Sequence, residues 1–302
     1  MRMIFENQTF DQERALYGVS GAVVTNCRFD GPADGESALK EARDIQVRCC
    51  FMNLRYPFWH VEGAAIVDTT FTEQCRAALW YDRNISIEDC RLHGTKAIRE
   101  CEGITIRNTS VNSPEFMWKC RTVELENVTI GQSEYPFFEV KDANITRLAL
   151  KGKYSFQYCE NITVSASELD TKDAFWHTRN VTVRDSRING EYLGWYSENL
   201  TLVNCRIIGT QPFCYCRNLR LENCTMERCD LAFERSSVHA TVNGKIDSVK
   251  NPLEGSITAD EIGTLILEEP FCDAGKMHIS CRTCGTNKNG CGGKCPCSNK
   301  CA

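Results

Sequence analysis

The sequence predicts an all-β protein: a parallel β-helix solenoid of about twelve coils over residues 1–269, followed by a Cys-rich C-terminal tail over residues 270–302. Three observations predict it. One motif is written three times at 19-residue intervals, beginning at Asn180-Val181-Thr182-Val183, Asn199-Leu200-Thr201-Leu202 and Asn218-Leu219-Arg220-Leu221. An apolar anchor recurs through the chain at Val24, Val47, Ile66, Ile87, Ile106, Leu125, Ile145, Val164, Val183, Leu202, Leu221 and Val242, in steps of 19 to 23 residues. A large apolar residue recurs in the same rhythm, about eleven residues after the anchor in most coils. A fixed period near 20 built from apolar-x-apolar segments is the signature of a solenoid of strands. A leucine-rich repeat does not fit, because no Leu-x-x-Leu-x-Leu skeleton recurs. Ile145 is the least secure anchor, since Leu148 and Leu150 offer another register.

Each coil has the same parts in the same order. An Asn, Asp or Gly stands three residues before the anchor, as in Asp44, Gly63, Asn84, Gly103, Asn161, Asn180, Asn199 and Asn218. These residue types accept the left-handed backbone of a sharp corner. A short strand follows, then a second corner with Asp or Asn, as in Asp68, Asp89, Asn108, Asp185 and Asn204. Next comes a small inward position: Cys27, Cys50, Thr69, Cys90, Thr109, Ser167, Ser186, Cys205 and Cys224. Small volume stacks inside a narrow coil, so these cysteines read as buried packing residues. The last part is the large apolar column Leu16, Leu39, Phe58, Leu79, Ile98, Met117, Phe137, Phe156, Phe175, Trp195, Phe213 and Phe233.

Composition narrows the function classes. The chain has 302 residues and a net charge of −5, which gives no reason to expect nucleic acid or an anionic membrane as partner. No apolar run approaches the ~20 residues of a membrane helix. Residues Met1 to Asn7 lack the apolar core of a secretory signal, so a cytoplasmic location is expected. The eight or so Asn-x-Ser/Thr triplets follow from corner Asn placed before strand Thr, and need no glycosylation.

The repeats resemble the pectate-lyase-like superfamily of right-handed parallel β-helices. Within it, Glu13-Arg14-Ala15-Leu16 and Gly35-Glu36-Ser37-Ala38-Leu39-Lys40-Glu41, followed by coils of about twenty residues, resemble an uncharacterised bacterial family. The likeness covers roughly residues 4–268 and implies the fold and its right-handedness. It implies no activity, because fold alone does not give function.

Two files of side chains are candidates for function. By strand alternation, the residue after the large apolar column points outward. It reads Tyr17, Lys40, Trp59, Trp80, Arg99, Trp118, Phe138, Gln157, Trp176, Tyr196, Cys214 and Glu234. Aligned exposed tryptophans are unusual in soluble proteins. Trp59, Trp80, Arg99, Trp118, Phe138 and Trp176, with His177 beside them, are therefore expected to bind an extended saccharide, or to be covered by a protein partner, a second copy or the tail. The next file carries Glu100, Lys119 and Glu139 on successive coils. This reads as an ion-pair ladder. As a catalytic pair, Glu100 and Glu139 would stand ~10 Å apart, near the upper limit for inverting glycoside hydrolysis. Asp170 and Asp173, with Lys172, Arg179 and Glu191 nearby, are the other candidate acids for a glycan lyase or hydrolase.

The tail carries Cys281, Cys284, Cys291, Cys295, Cys297 and Cys301 with little apolar sequence between them. Close cysteine spacing in a cytoplasmic chain points to a metal, zinc before an iron–sulfur cluster, with disulfides or free thiols as the other states. The overall expectation is a binding protein for an extended ligand, with a glycan-active enzyme or a self-assembling structural protein as alternatives.

Overall fold

The computed structural model describes residues 2–31, 35–268 and 270–284. The fold is an all-β parallel β-solenoid of about 14 turns. The only helical pieces among the described residues are two 3-10 turns, Glu73–Cys75 and Ala274–Lys276. The chain forms two compact units, Met1–Gly152 and Lys153–Ala302.

In the first unit the parallel register runs Phe5, Val24, Val47, Ile66, Ile87, Ile106, Leu125 and Ile145, each opposite the next. This is the expected series with one coil added in front, and it settles Ile145 as the anchor. In the second unit the register runs Val164, Val183, Leu202, Leu221, Ala240, Ile257 and Ile279. The anchor expected at Val242 is Ala240; Val242 lies opposite Cys224, because the ladder slips between Leu221 and Cys224. The repeat, expected to stop near residue 269, continues, because Met277–Cys284 pairs in parallel with Glu254–Ile266.

The corners form as their residues dictate. Asn161, Asn180, Asn199 and Asn218 all adopt positive φ, between 52° and 58°. Their amides also join along the axis: Asn180 donates to Asn161, Asn199 to Asn180 and Asn218 to Asn199, at 2.8–3.0 Å. A charged file beside them alternates in sign, as Arg43, Glu62, Arg83, Glu102 and Arg121 in the first unit, and as Glu160, Arg179, Glu198 and Arg217 in the second. These pairs lie at the surface, so each contributes under about 1 kcal/mol; the alternation keeps like charges out of register as far as Arg121, which faces Lys141.

The small inward column does more than fill space. Cys27 N–H donates to Cys50 Sγ at 3.4 Å, Cys50 N–H to Thr69 Oγ1 at 3.3 Å, Thr69 N–H to Cys90 Sγ at 3.4 Å and Cys90 N–H to Thr109 Oγ1 at 3.3 Å. Cys50, Thr69, Cys90 and Thr109 each donate in turn to the carbonyl two residues back. Cys, Thr and Ser are interchangeable here because each offers one X–H and one acceptor. Burial pushes the Cys50 and Cys90 thiols up to about 11 and the Cys75 and Cys229 thiols up to about 12. Such thiols are unreactive in the folded state.

The large apolar column is buried in both units: Leu39, Phe58, Leu79, Ile98, Met117 and Phe137, then Phe156, Phe175, Phe213 and Phe233. Leu16 is only half-buried. Trp195 is not in this column. Gly194 takes the place between Phe175 and Phe213, and Trp195 falls one position outward, where it stacks on Trp176.

Candidate functional site

The tryptophan file is half-buried along its length. Its rings do not stand out from the surface. In the second unit, Trp176 and Trp195 stack at 5.7 Å with planes 3° apart. Their indole N–H groups donate to the carbonyls of Tyr192 and Gln211 at 3.0 and 2.8 Å. In the first unit, Trp118 Nε1 donates to Tyr135 O at 2.7 Å, and its ring tilts 40° against Phe138. Trp59 and Trp80 stack at 5.4 Å. Lys40 Nζ lies 4.2 Å from the Trp59 centroid and Arg99 Cζ 5.1 Å from that of Trp80, so each side chain adds a cation to one indole.

The residue one step further along the chain forms the outermost file. In the second unit it reads Tyr158, His177, Tyr196 and Tyr215. These rings pile at 5.1, 5.0 and 4.9 Å with planes 5° to 11° apart. The spacing is close to that of the strands, so each ring stacks on its counterpart one coil away. Positive φ at all four, 53° to 60°, turns the side chains outward at a corner. Tyr158 and Tyr196 are 48% and 45% exposed, although neighbours cover their faces. What meets solvent is therefore ring edges and hydroxyls. The first unit has the same stack at His60 and Tyr81, 5.2 Å apart.

Beyond Tyr81 that file becomes ionic. Arg99 donates to Glu100 at 2.7 Å, and Lys119 Nζ is 3.9 Å from Glu139. Burial raises the pKa of Glu100, but hydrogen bonds from Tyr81 and Arg99, with the charges of Arg99 and Lys119, outweigh it and hold the carboxyl below its ordinary value. Glu100 is thus kept ionised by fixed partners. Asp170 is exposed and accepts a hydrogen bond from Asn189 at 2.7 Å. Asp173 is buried to 8% exposure; desolvation, with Glu191, pushes its carboxyl up against the opposing charge of Lys172.

Among the described residues, no group of three or more His, Cys, Asp or Glu side chains could hold a metal ion. Cys281 and Cys284 lie on the last strand, and Cys281 is disulfide-bonded. Cys291, Cys295, Cys297 and Cys301 lie outside the described residues.

Sequence reasoning singled out the tryptophans and His177, and placed Tyr196 in the tryptophan file, but gave the tyrosines beside His177 no binding role. Their signal was present, as an aromatic at a fixed offset on four coils. It was masked because alternation alone does not say which of two adjacent corner residues stands further out.

The chain is similar to several solved structures. The A-module of a mannuronan C-5 epimerase from Azotobacter vinelandii is 10% identical, with 95% of this chain and 87% of that one covered and a TM-score of 0.37. PfbA, a surface adhesin of Streptococcus pneumoniae, is 9% identical over 78% and 84%, with a TM-score of 0.36. HetL, a pentapeptide repeat protein from Nostoc sp. strain PCC 7120, is 11% identical over 75% and 92%, with a TM-score of 0.32. Likeness at this level transfers no activity. No curated protein sequence matches the chain. Residues 3–280 match the profile of a family described as a protein of unknown function (DUF3737), and the chain belongs to that family.

Proposed function

We propose that the protein is a binding scaffold for an extended, oxygen-rich polymer, a polysaccharide, held along the outer ring file. The observation that carries this is the pile Tyr158, His177, Tyr196 and Tyr215, which presents edges and hydroxyls at one step per coil. An aromatic edge carries partial positive charge, as does a hydroxyl proton, so a row of them attracts oxygen acceptors. A saccharide chain offers such acceptors at regular intervals. Sugar faces would not stack on these rings, because neighbouring rings occupy the faces. The tryptophans act behind the pile, as a half-buried floor that fixes its direction. Affinity electrophoresis against neutral and acidic polysaccharides tests the reading. Retardation by at least one of them, lost in Tyr196→Phe, supports it; no retardation by any defeats it.

Asp173 supports a second reading as a glycan-active enzyme, because an acid with a raised pKa is what general-acid cleavage requires. Product release from a polysaccharide by the parent but not by Asp173→Asn would establish it. Zinc in the tail is a proposal for the reduced protein, since Cys281 offers no thiolate while disulfide-bonded.

A further inference from the structure

On the outer face of the strands in the second unit lies an open concavity of about 590 Å³. Asn218, Ser237, His239, Glu254, Gly255 and Lys276 line it. The register explains its content. His239 stands opposite Arg220 on one side and Ser256 on the other, and Ser256 stands opposite His278. One outward file therefore reads Arg220, His239, Ser256 and His278. His239 Nδ1 lies 3.0 Å from Ser256 Oγ. Two rungs separate the histidines, so they stand about 10 Å apart with the serine hydroxyl midway. Lys276, one file across, adds a fixed positive charge at the same level as His278.

We propose that this file, at the edge of the concavity, binds a small oxyanion, a phosphate or carboxylate group, seated over Ser256 between His239 and His278; of these three, His239 also lines the concavity. A group centred there faces His239 on one side and His278 on the other; with Nδ1–H of His239 donating to Ser256 Oγ, the serine hydroxyl proton is left to point at the group. Lys276 supplies the charge, since an ammonium is a donor with no acceptor capacity. Glu254 is the one acidic side chain of the lining and opposes the anion, which makes it the discriminating residue.

Isothermal titration of the full chain with inorganic phosphate, and separately with acetate, tests the site. Saturable binding of phosphate alone identifies a phosphate site, and of acetate alone a carboxylate site. Lys276→Ala and His239→Gln should each weaken binding about two- to fivefold, the size expected for one exposed charge or donor. Glu254→Gln should tighten it by a similar factor. All three side chains are exposed, so thermal melts of the variants should match the parent. No saturable binding of either probe would overturn the proposal. So would binding indifferent to both Lys276→Ala and His239→Gln. Weaker binding in Glu254→Gln would overturn it too, because a cation or hydroxyl ligand needs that carboxylate as acceptor.

Discussion

The ring of Phe213 occupies the place that a side chain on Gly194 would fill: its Cδ1 lies 2.7 Å from the position of a Cβ there, and Leu200 Cδ2 lies 2.9 Å away. Every other coil around it puts a bulky residue in that column. Gly194 lets the next coil's phenylalanine lean across instead. Gly194→Ala should overpack the site and cost about 1–3 kcal/mol in urea unfolding. The positive φ of Gly194, 72°, adds backbone strain to that cost. An alanine variant as stable as the parent would show that the Phe213 ring has room to move.

Gly194 also marks how far the sequence could be read. Period and alternation found the anchors from Val24 to Leu221, because Val, Ile and Leu recur there without a break. They failed where the inward residue is small. Size does not mark the inward residue at Ala240 or Gly194, where the larger Val242 and Trp195 stand close by in the sequence. The coils at Ile257 and Ile279 carry no such mark, because neither is preceded by an Asn corner. The direction of the tryptophans was half legible. Alternation sent them outward, but it does not show that an indole folds back to donate to a carbonyl on the next coil, as Trp176 does to Tyr192.

Two substitutions at Tyr196 separate its structural and binding parts. Tyr196→Ala removes stacking against both His177 and Tyr215, each contact contributing about 0.5–1.5 kcal/mol, and should lower the melting temperature. Tyr196→Phe keeps both stacks and loses only the hydroxyl. Its melt should match the parent while retardation by polysaccharide falls. Equal retardation of parent and Tyr196→Phe would leave the pile a purely structural device.

The hydrogen-bonded small column predicts an order of tolerance. Cys90→Ala leaves the buried N–H of Thr69 without its acceptor and should cost about 1–3 kcal/mol. Cys90→Ser keeps an acceptor and a donor there and should cost less than the alanine variant. A serine variant no more stable than alanine would return these cysteines to simple packing. In the folded parent, a thiol reagent should modify exposed Cys49 and spare Cys50, Cys75 and Cys90, all buried.

Asp82 sits in a second inward column at 0% exposure, between Val61 and Cys101. Its Oδ1 accepts the Val61 N–H at 2.7 Å, Oδ2 is buried with no partner, and desolvation pushes its carboxyl well above the ordinary value. A neutral acid fits this column as Cys or Ser does. Below the unfolded value, near pH 4, both states carry the proton and the group has no effect on stability. Above it the unfolded chain releases the proton while the native group keeps it. The unfolded state then binds fewer protons, so Asp82 makes stability fall as pH rises, until the native group itself ionises. Asp82→Asn keeps the acceptor for Val61 and removes the titration. The variant should match the parent near pH 4 and exceed it in melting temperature at pH 7–8, with the gap widening as pH rises. A variant equally destabilised at both pH values would mean that the asparagine does not fit, and that the buried carboxyl makes contacts that only an acid can supply.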